Sequence, residues 1–168
     1  MQAQSGDAEA FTRLVAWRGP AIYRLCLTIL RSAEDAEDAA QETFVIAWRE
    51  LPRLRRPGAW PDWVRQIAVR RAIEVDRQRR RHRRQIEPVS VVPDGSAVSV
   101  DHVMLEAAFS SISVDDRAIL ALRYYADLDV PRVAVALGIP LGTAKSRLHR
   151  ALERLKVVVV SAGDVDQC

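Results

Sequence analysis

The sequence predicts an all-α fold of two small helical domains joined by an irregular linker, the second domain ending in a helix-turn-helix. Three observations carry that prediction. Apolar residues recur at three- and four-residue steps through most of the 168 residues, and no stretch alternates apolar with polar as a half-buried strand does. The segment IEPVSVVPDGSAVSV, from Ile86 to about Val100, has two prolines, a glycine and several serines but no helical period, so it reads as a linker between separate units. Past it come a short helix, a glycine turn and a longer basic helix in quick succession. These features divide the chain into a first domain at 1–84, a linker at 85–102, a second domain at 103–156 and a short tail at 157–168.

In the first domain, Phe11, Leu14 and Val15 begin an apolar stripe. Gly19 and Pro20 interrupt it, and Ile22, Leu25, Cys26, Ile29 and Leu30 resume it. Two helices are expected, with Pro20 in the first turn of the second, where its missing amide hydrogen costs little. Ser32 caps the next helix, Asp35 completes a capping box, and the helix runs to about Leu51. PRLRRPGA at 52–59 is a loop. Trp60, Trp63, Val64, Ile67 and Ala68 then open an amphipathic helix that ends in RQRRRHRR, with both tryptophans expected in the core.

In the second domain, Leu105, Phe109 and Ile112 mark one helix. Ser113 and Asp116 form a capping box for another, which carries Ile119 and Leu122. Asp129 caps a short helix holding Val133, Ala134 and Leu137, and Gly138 ends it in the left-handed conformation that glycine adopts most easily.

Composition narrows the possible functions. A hydrophobic fraction of 49% with 28% charged residues describes a chain apolar enough to fold. Net charge is only +3, but arginines gather at 65–84 and carboxylates at 34–42, so partners of both signs are expected. The amino terminus has no basic start or long apolar core of a signal peptide, and no run is long enough to insert in a membrane, which points to the cytosol. Cys26 and Cys168 give neither a disulfide framework nor metal spacing, and His82, His102 and His149 are scattered. No metal, cofactor or catalytic residue is expected. An enzyme would need a site that no phosphate loop, histidine–acid pair or clustered nucleophile supplies.

The stretch GIPLGTAKSRLHRALERLK at 138–156 carries the most chemistry. At 100° per residue, Ala144, Leu148, Ala151 and Leu155 share one face while Thr143, Ser146, Arg147 and Arg150 share another, with Lys145 to its flank. One face packs and the other can read DNA. Small residues at the entrance let a phosphate approach the free amides and positive dipole of the first turn, although glycine costs helix stability there. Arg147 and Arg150 reach base edges or phosphates, and Lys145 lies where a phosphate runs. The plainer reading is a solvated basic face on a helical hairpin.

A second constellation lies on the helix after Ser32. Asp38, Gln41, Glu42 and Val45 fall on one exposed face, an acidic stripe offered to a basic partner. Carboxylates early in a helix also complement its dipole, which accounts for Glu34 and Asp35 better than for Gln41 and Glu42. The six arginines within 77–84 give affinity for a polyanion, or simply a solvated end.

LGIPLGTAKSRLHRALERL resembles the minus-35-reading segment of the extracytoplasmic-function (ECF, group IV) sigma factors of the sigma-70 family. GPAIYRLCLTILRSAEDAEDAAQETFVIAWRE resembles that family's polymerase-binding region, whose core motif falls on Asp38, Gln41, Glu42 and Phe44. The two motifs agree in order, and the likeness covers about 8–84 and 103–156. It implies a bacterial cytoplasmic, nucleoid-associated factor that binds core RNA polymerase. Its first domain would read a melted minus-10 element and its second a duplex minus-35 element, with an anti-sigma factor as a further partner. Minus-10 contacts then fall to Arg70, Arg71, Glu74, Arg77 and Arg80, and minus-35 contacts to Thr143, Lys145, Ser146, Arg147 and Arg150. The loop at 52–59 maps to the family's pocket for a flipped base.

This chain also departs from the family pattern. Arg70 and Glu74 stand where asparagine and aspartate are usual, and Pro131 and Arg132 where two glutamates are usual, so promoter sequence does not carry over. The competing reading is a stand-alone helix-turn-helix regulator, which would dimerise on matched half-sites. Dimer heptads are absent from the sequence, and that reading gives the acidic stripe no task.

Overall fold

The structure, a computed structural model, describes residues 2–83 and 107–163; the linker at 85–102 and Leu105 lie outside the described residues. Every regular element among the described residues is helical. The first half contains α1 (Ala8–Leu30), α2 (Ala33–Glu50) and α3 (Trp60–Arg83), preceded by a short turn at Gln2–Ser5. The second contains α4 (107–111), α5 (Val114–Leu120), α6 (Val130–Leu137) and α7 (Leu141–Gly163).

α1 corrects one expectation, because a single helix runs through Pro20 rather than two meeting at it. Proline inside a helix removes one hydrogen bond and crowds the preceding residue. Here that residue is Gly19, which has no Cβ to clash. Apolar residues on both sides of the interruption then bury on the same core: Phe11 and Leu14 before it, Ile22, Leu25 and Ile29 after it. Arg31 ends the helix at φ 60, its amide bonded to the Leu27 carbonyl at 2.8 Å.

Both expected capping boxes form by half. The Asp35 and Asp116 amides donate to Ser32 Oγ at 3.3 Å and Ser113 Oγ at 3.1 Å. The carboxylates turn elsewhere, Asp35 to Arg79 of α3 and Asp116 to Arg154 of α7 at 2.6 Å. Aspartate is one methylene shorter than the glutamate a box prefers, and a distant arginine offers a full charge. The cap of α6 forms as expected, with the Arg132 amide on Asp129 Oδ1 at 2.9 Å. Between α5 and α6 the chain widens into a π turn at Ala121–Tyr125, closed by the Ala126 amide on the Ala121 carbonyl at 2.9 Å.

The core of the first half is built from Ile29, Leu51, Trp60, Val64 and Val69, and that of the second from Ile119, Leu122 and Val133. Trp60 is buried, as its spacing implies, and Phe11 and Trp63 pack on it. Cys26 lies fully inside, where burial pushes its thiol up to about 12. The two halves are not separate in space: their cores are continuous, with α5 against α1 and α3, and α6 against α3. Arg117 of α5 is the main tie. Its Nε donates to the Ile29 carbonyl at 2.6 Å, an acceptor left open where α1 ends, and its Nη2 reaches Asp76 of α3 at 3.3 Å.

Gly138 closes α6 at φ 66, and the Ile139 amide bonds back to the Ala134 carbonyl at 3.0 Å. Gly138→Ala should therefore lower stability by about 1 kcal/mol through left-handed strain, measured as a drop in urea midpoint with unchanged helicity.

Candidate nucleic-acid interface

α7 starts at Leu141, and Pro140 supplies the carbonyl that receives the Ala144 amide at 2.9 Å. The two faces are as the spacing implies. Ala144 and Ala151 are fully buried, and Leu148 and Leu155 pack against the core, which orients the helix. Lys145, Ser146, Arg147 and Arg150 are exposed and Thr143 is half-buried. Ser146 Oγ donates to the Thr143 carbonyl at 3.1 Å and Arg150 Nε to the Ser146 carbonyl at 3.2 Å, so the exposed face is ordered by its own backbone. Gly142 sits in the first turn, and a Cβ added there would meet nothing within 4 Å. Nothing among the described residues requires a glycine at that position.

On α3 the arginines divide. Arg71 is held between Glu42 of α2 and Glu74 of its own helix, at 2.6 Å from the latter. Arg80 pairs with Asp76 at 2.6 Å and Arg77 faces Asp115 at 3.6 Å. Arg70 and Arg81 are exposed and have no acidic partner among the described residues. Arg70 and Arg77 line one cleft of about 510 Å³ with Arg147 of α7, so the structure brings residues from both expected DNA-contact sets to one place.

On α2, Asp38 and Gln41 are exposed, with Gln41 Nε2 donating to Glu37 at 3.2 Å, and Val45 is 49% exposed. Glu42 differs from these three because its carboxylate is committed to Arg71. The sequence reading missed Trp48, which continues the same stripe one turn on. It is 37% exposed and braced by Phe11, with ring centroids 4.9 Å apart. Its i, i+3 relation to Val45 was the available signal.

Asp62 and Arg132 were missed too. Arg132 Nη2 donates to both Asp62 oxygens, at 2.7 and 2.9 Å, and Arg65 adds a 2.5 Å bond. Partial burial alone would raise the pKa of Asp62, but the hydrogen bonds from Arg132 and Arg65 outweigh it and hold the carboxyl below its usual value. No sequence pattern links positions 62 and 132; only the fold does.

A helical pair of domains, one presenting an arginine-rich helix and the other a helix-turn-helix with an exposed basic reading face, defines a DNA-binding protein. Known proteins give it a family. Residues 14–85 match the model of sigma-70 region 2 and residues 102–155 that of sigma-70 region 4. The chain is 27% identical to the ECF RNA polymerase sigma factor SigL of Mycobacterium tuberculosis, over 96% of this chain and 95% of that one. It is also 27% identical to the ECF sigma factor SigW of Bacillus subtilis, over 92% and 91%. Two solved structures share the fold. The sigma factor RpoE in complex with the anti-sigma factor NepR, from Bartonella quintana, has a TM-score of 0.69 at 24% identity, covering 90% of this chain and 98% of RpoE. CnrH in complex with the cytosolic domain of CnrY has a TM-score of 0.70 at 23% identity, covering 95% and 94%. The chain belongs to the sigma-70 family, in its extracytoplasmic-function group, and its work is promoter-specific transcription initiation. A stand-alone regulator is not favoured, since the region 2 match takes up the whole arginine-rich half. No helix among the described residues is long and apolar enough to cross a membrane.

The placement of Glu42 separates it experimentally from its neighbours. Glu42→Ala should cost ~0.2–1 kcal/mol of folding stability by releasing Arg71, whereas Asp38→Ala and Gln41→Ala should leave the urea midpoint in place.

Proposed function

We propose that this sigma factor divides its labour among three surfaces: α2 for core polymerase, α3 for the melted minus-10 strand and the exposed face of α7 for the minus-35 duplex. The observation that carries the reading is Gly142. A glycine in the middle of a helix costs roughly 0.5–1 kcal/mol relative to alanine, and at the start of α7 neither a left-handed φ nor a neighbouring atom among the described residues explains Gly142. Close approach of a phosphate to the first-turn amides does. Arg147, Arg150 and Ser146 then face base edges, with Thr143 and Lys145 placed for the backbone.

The polymerase surface is Asp38, Gln41, Glu42 and Val45, extended by Trp48, a polar rim with an aromatic anchor of the kind interfaces favour. Arg70, Arg71, Glu74, Arg77 and Arg80 serve the minus-10 side, and of these Arg70 has the freest charge. The protein acts by binding, without a catalytic centre of its own, at the nucleoid of a bacterial cytoplasm. An anti-sigma factor is its further partner, a reading supported by the RpoE–NepR and CnrH–CnrY complexes.

Gly142→Ala should raise folding stability and weaken minus-35 binding, opposite signs that a purely structural glycine would not give. Arg147→Ala or Arg150→Ala in polymerase holoenzyme should cost about 1–3 kcal/mol and relax preference at one promoter position. Lys145→Ala should weaken all sequences alike and lower the salt slope by roughly one unit. Transcription from a library of minus-35 variants at several salt concentrations reads both; unchanged preference in both arginine variants would refute the assignment. Asp38→Ala with Gln41→Ala and Val45→Ala should abolish co-elution with core polymerase while leaving helicity intact.

A further inference from the structure

The four tryptophans of this chain have different settings. Trp60 is enclosed, Trp63 packs on it and Trp48 leans on Phe11. Trp17, in the middle of α1, is 60% exposed and has no aromatic ring against it among the described residues. The Arg18 guanidinium lies over it, 4.1 Å from the ring centroid. A lone apolar side chain on a surface needs no explanation. An indole with a guanidinium laid on it is different, because it presents a π-face and a positive charge together.

Arg18 is not spent inside the protein. It bonds to no carboxylate among the described residues, and its Nε is buried with no hydrogen-bond partner there. It lies close enough to Arg65 and Asp62 to feel both charges: burial and Arg65 pull its pKa down, and Asp62 opposes them. The guanidinium stays charged throughout. The Asp62 carboxylate is already bonded to Arg132 and Arg65, so the charge left beside the ring is positive. Along α1, Arg13, Trp17 and Arg24 fall four and seven residues apart on one exposed face. Arg13 pairs with Glu9 at 3.1 Å, while Arg24 has no carboxylate partner among the described residues.

The path of the DNA gives this ring its place. Asp62, Gln66, Arg70 and Arg77 recur on one side of α3, along about 22 Å of helix. The carboxy end of α3 leads on to the domain that reads minus-35, upstream of minus-10. A melted strand crossing this side toward the start site therefore runs from Arg77 to Asp62. Arg18 and Trp17 stand at the end it reaches. Exposed aromatic rings beside a cationic track stack the bases of single strands, and do so whatever the base, since each has a π-face.

We propose that Trp17, backed by Arg18, stacks a base of the melted strand just past the minus-10 element, on its start-site side. The contact holds the strand open without reading its sequence. The inference rests on the assignment of α3 to the minus-10 strand.

The test uses polymerase holoenzyme on a promoter drawn from the minus-35 library. In it, 2-aminopurine is placed singly at each position between the minus-10 element and the start site, on either strand. Stacking quenches this fluorescent base. Trp17→Ala should brighten it at one or two adjacent positions of one strand, and Trp17→Phe, which keeps a π-face, should not. The Trp17→Ala open complex, challenged with heparin, should decay roughly five- to a hundredfold faster, whichever base occupies the position. Because the ring is mostly exposed, the variant should fold and co-elute with core polymerase as the parent does. Fluorescence unchanged at every position overturns the proposal. So does loss of co-elution in Trp17→Ala, since the ring would then be a contact to protein. Failure of the α3 assignment shows elsewhere: Arg70→Ala would leave the open-complex lifetime unchanged, whereas failure of the stacking contact alone leaves the Arg70 effect in place.

Discussion

The guanidinium of Arg117 is the interaction on which the rest of the arrangement depends. It is 5% exposed and has four acceptors: the carbonyls of Ile29, Ser110 and Ile112, and the carboxylate of Asp76. Of those carbonyls, Ser110's lies in α4 and Ile112's in the turn between α4 and α5, and the other two acceptors belong to the end of α1 and to α3. Burial lowers the pKa of Arg117 and Asp76 opposes that pull, yet a guanidinium stays charged throughout. A buried charge of this kind is tolerated only where its donors are satisfied, and stripping one partner from such a pair costs about 3–5 kcal/mol. The relative placement of the two helical units is therefore fixed by polar geometry as well as by apolar contact.

The arginines of α3 show how one helix serves two ends. Three of them are paired within the protein: Arg71 with Glu42 and Glu74, Arg79 with Asp35, Arg80 with Asp76. They fasten α3 to α2 and to itself. Arg70 and Arg81 are exposed and have no carboxylate partner among the described residues. A count of basic residues along the sequence overstates what such a helix offers to nucleic acid, because pairing within the fold decides which charges remain.

The legible part of the protein was local. Ser32, Ser113 and Asp129 marked helix starts because capping is a matter of three residues, and Gly138 marked a stop because few other side chains tolerate φ 66. The packed face of α7 followed from helical spacing alone. Pro20 misled, since a rule about proline in isolated helices gave way to the core that holds both sides of α1 in line. The pairs Glu42–Arg71, Asp62–Arg132 and Asp76–Arg117 were invisible for another reason: each joins residues 29 to 70 positions apart, and any of several carboxylates would have served as well on paper. Trp48 lay within reach of the same spacing argument that found Val45.

Cys26 bears on how this factor receives information. A thiol wholly enclosed by apolar neighbours, with ionisation displaced to about 12, offers an oxidant almost no thiolate to attack at cellular pH. Among the described residues it is the sole cysteine, free and buried. Enclosed in this way the thiol serves packing, and an oxidative signal that reaches these residues arrives by another route than Cys26.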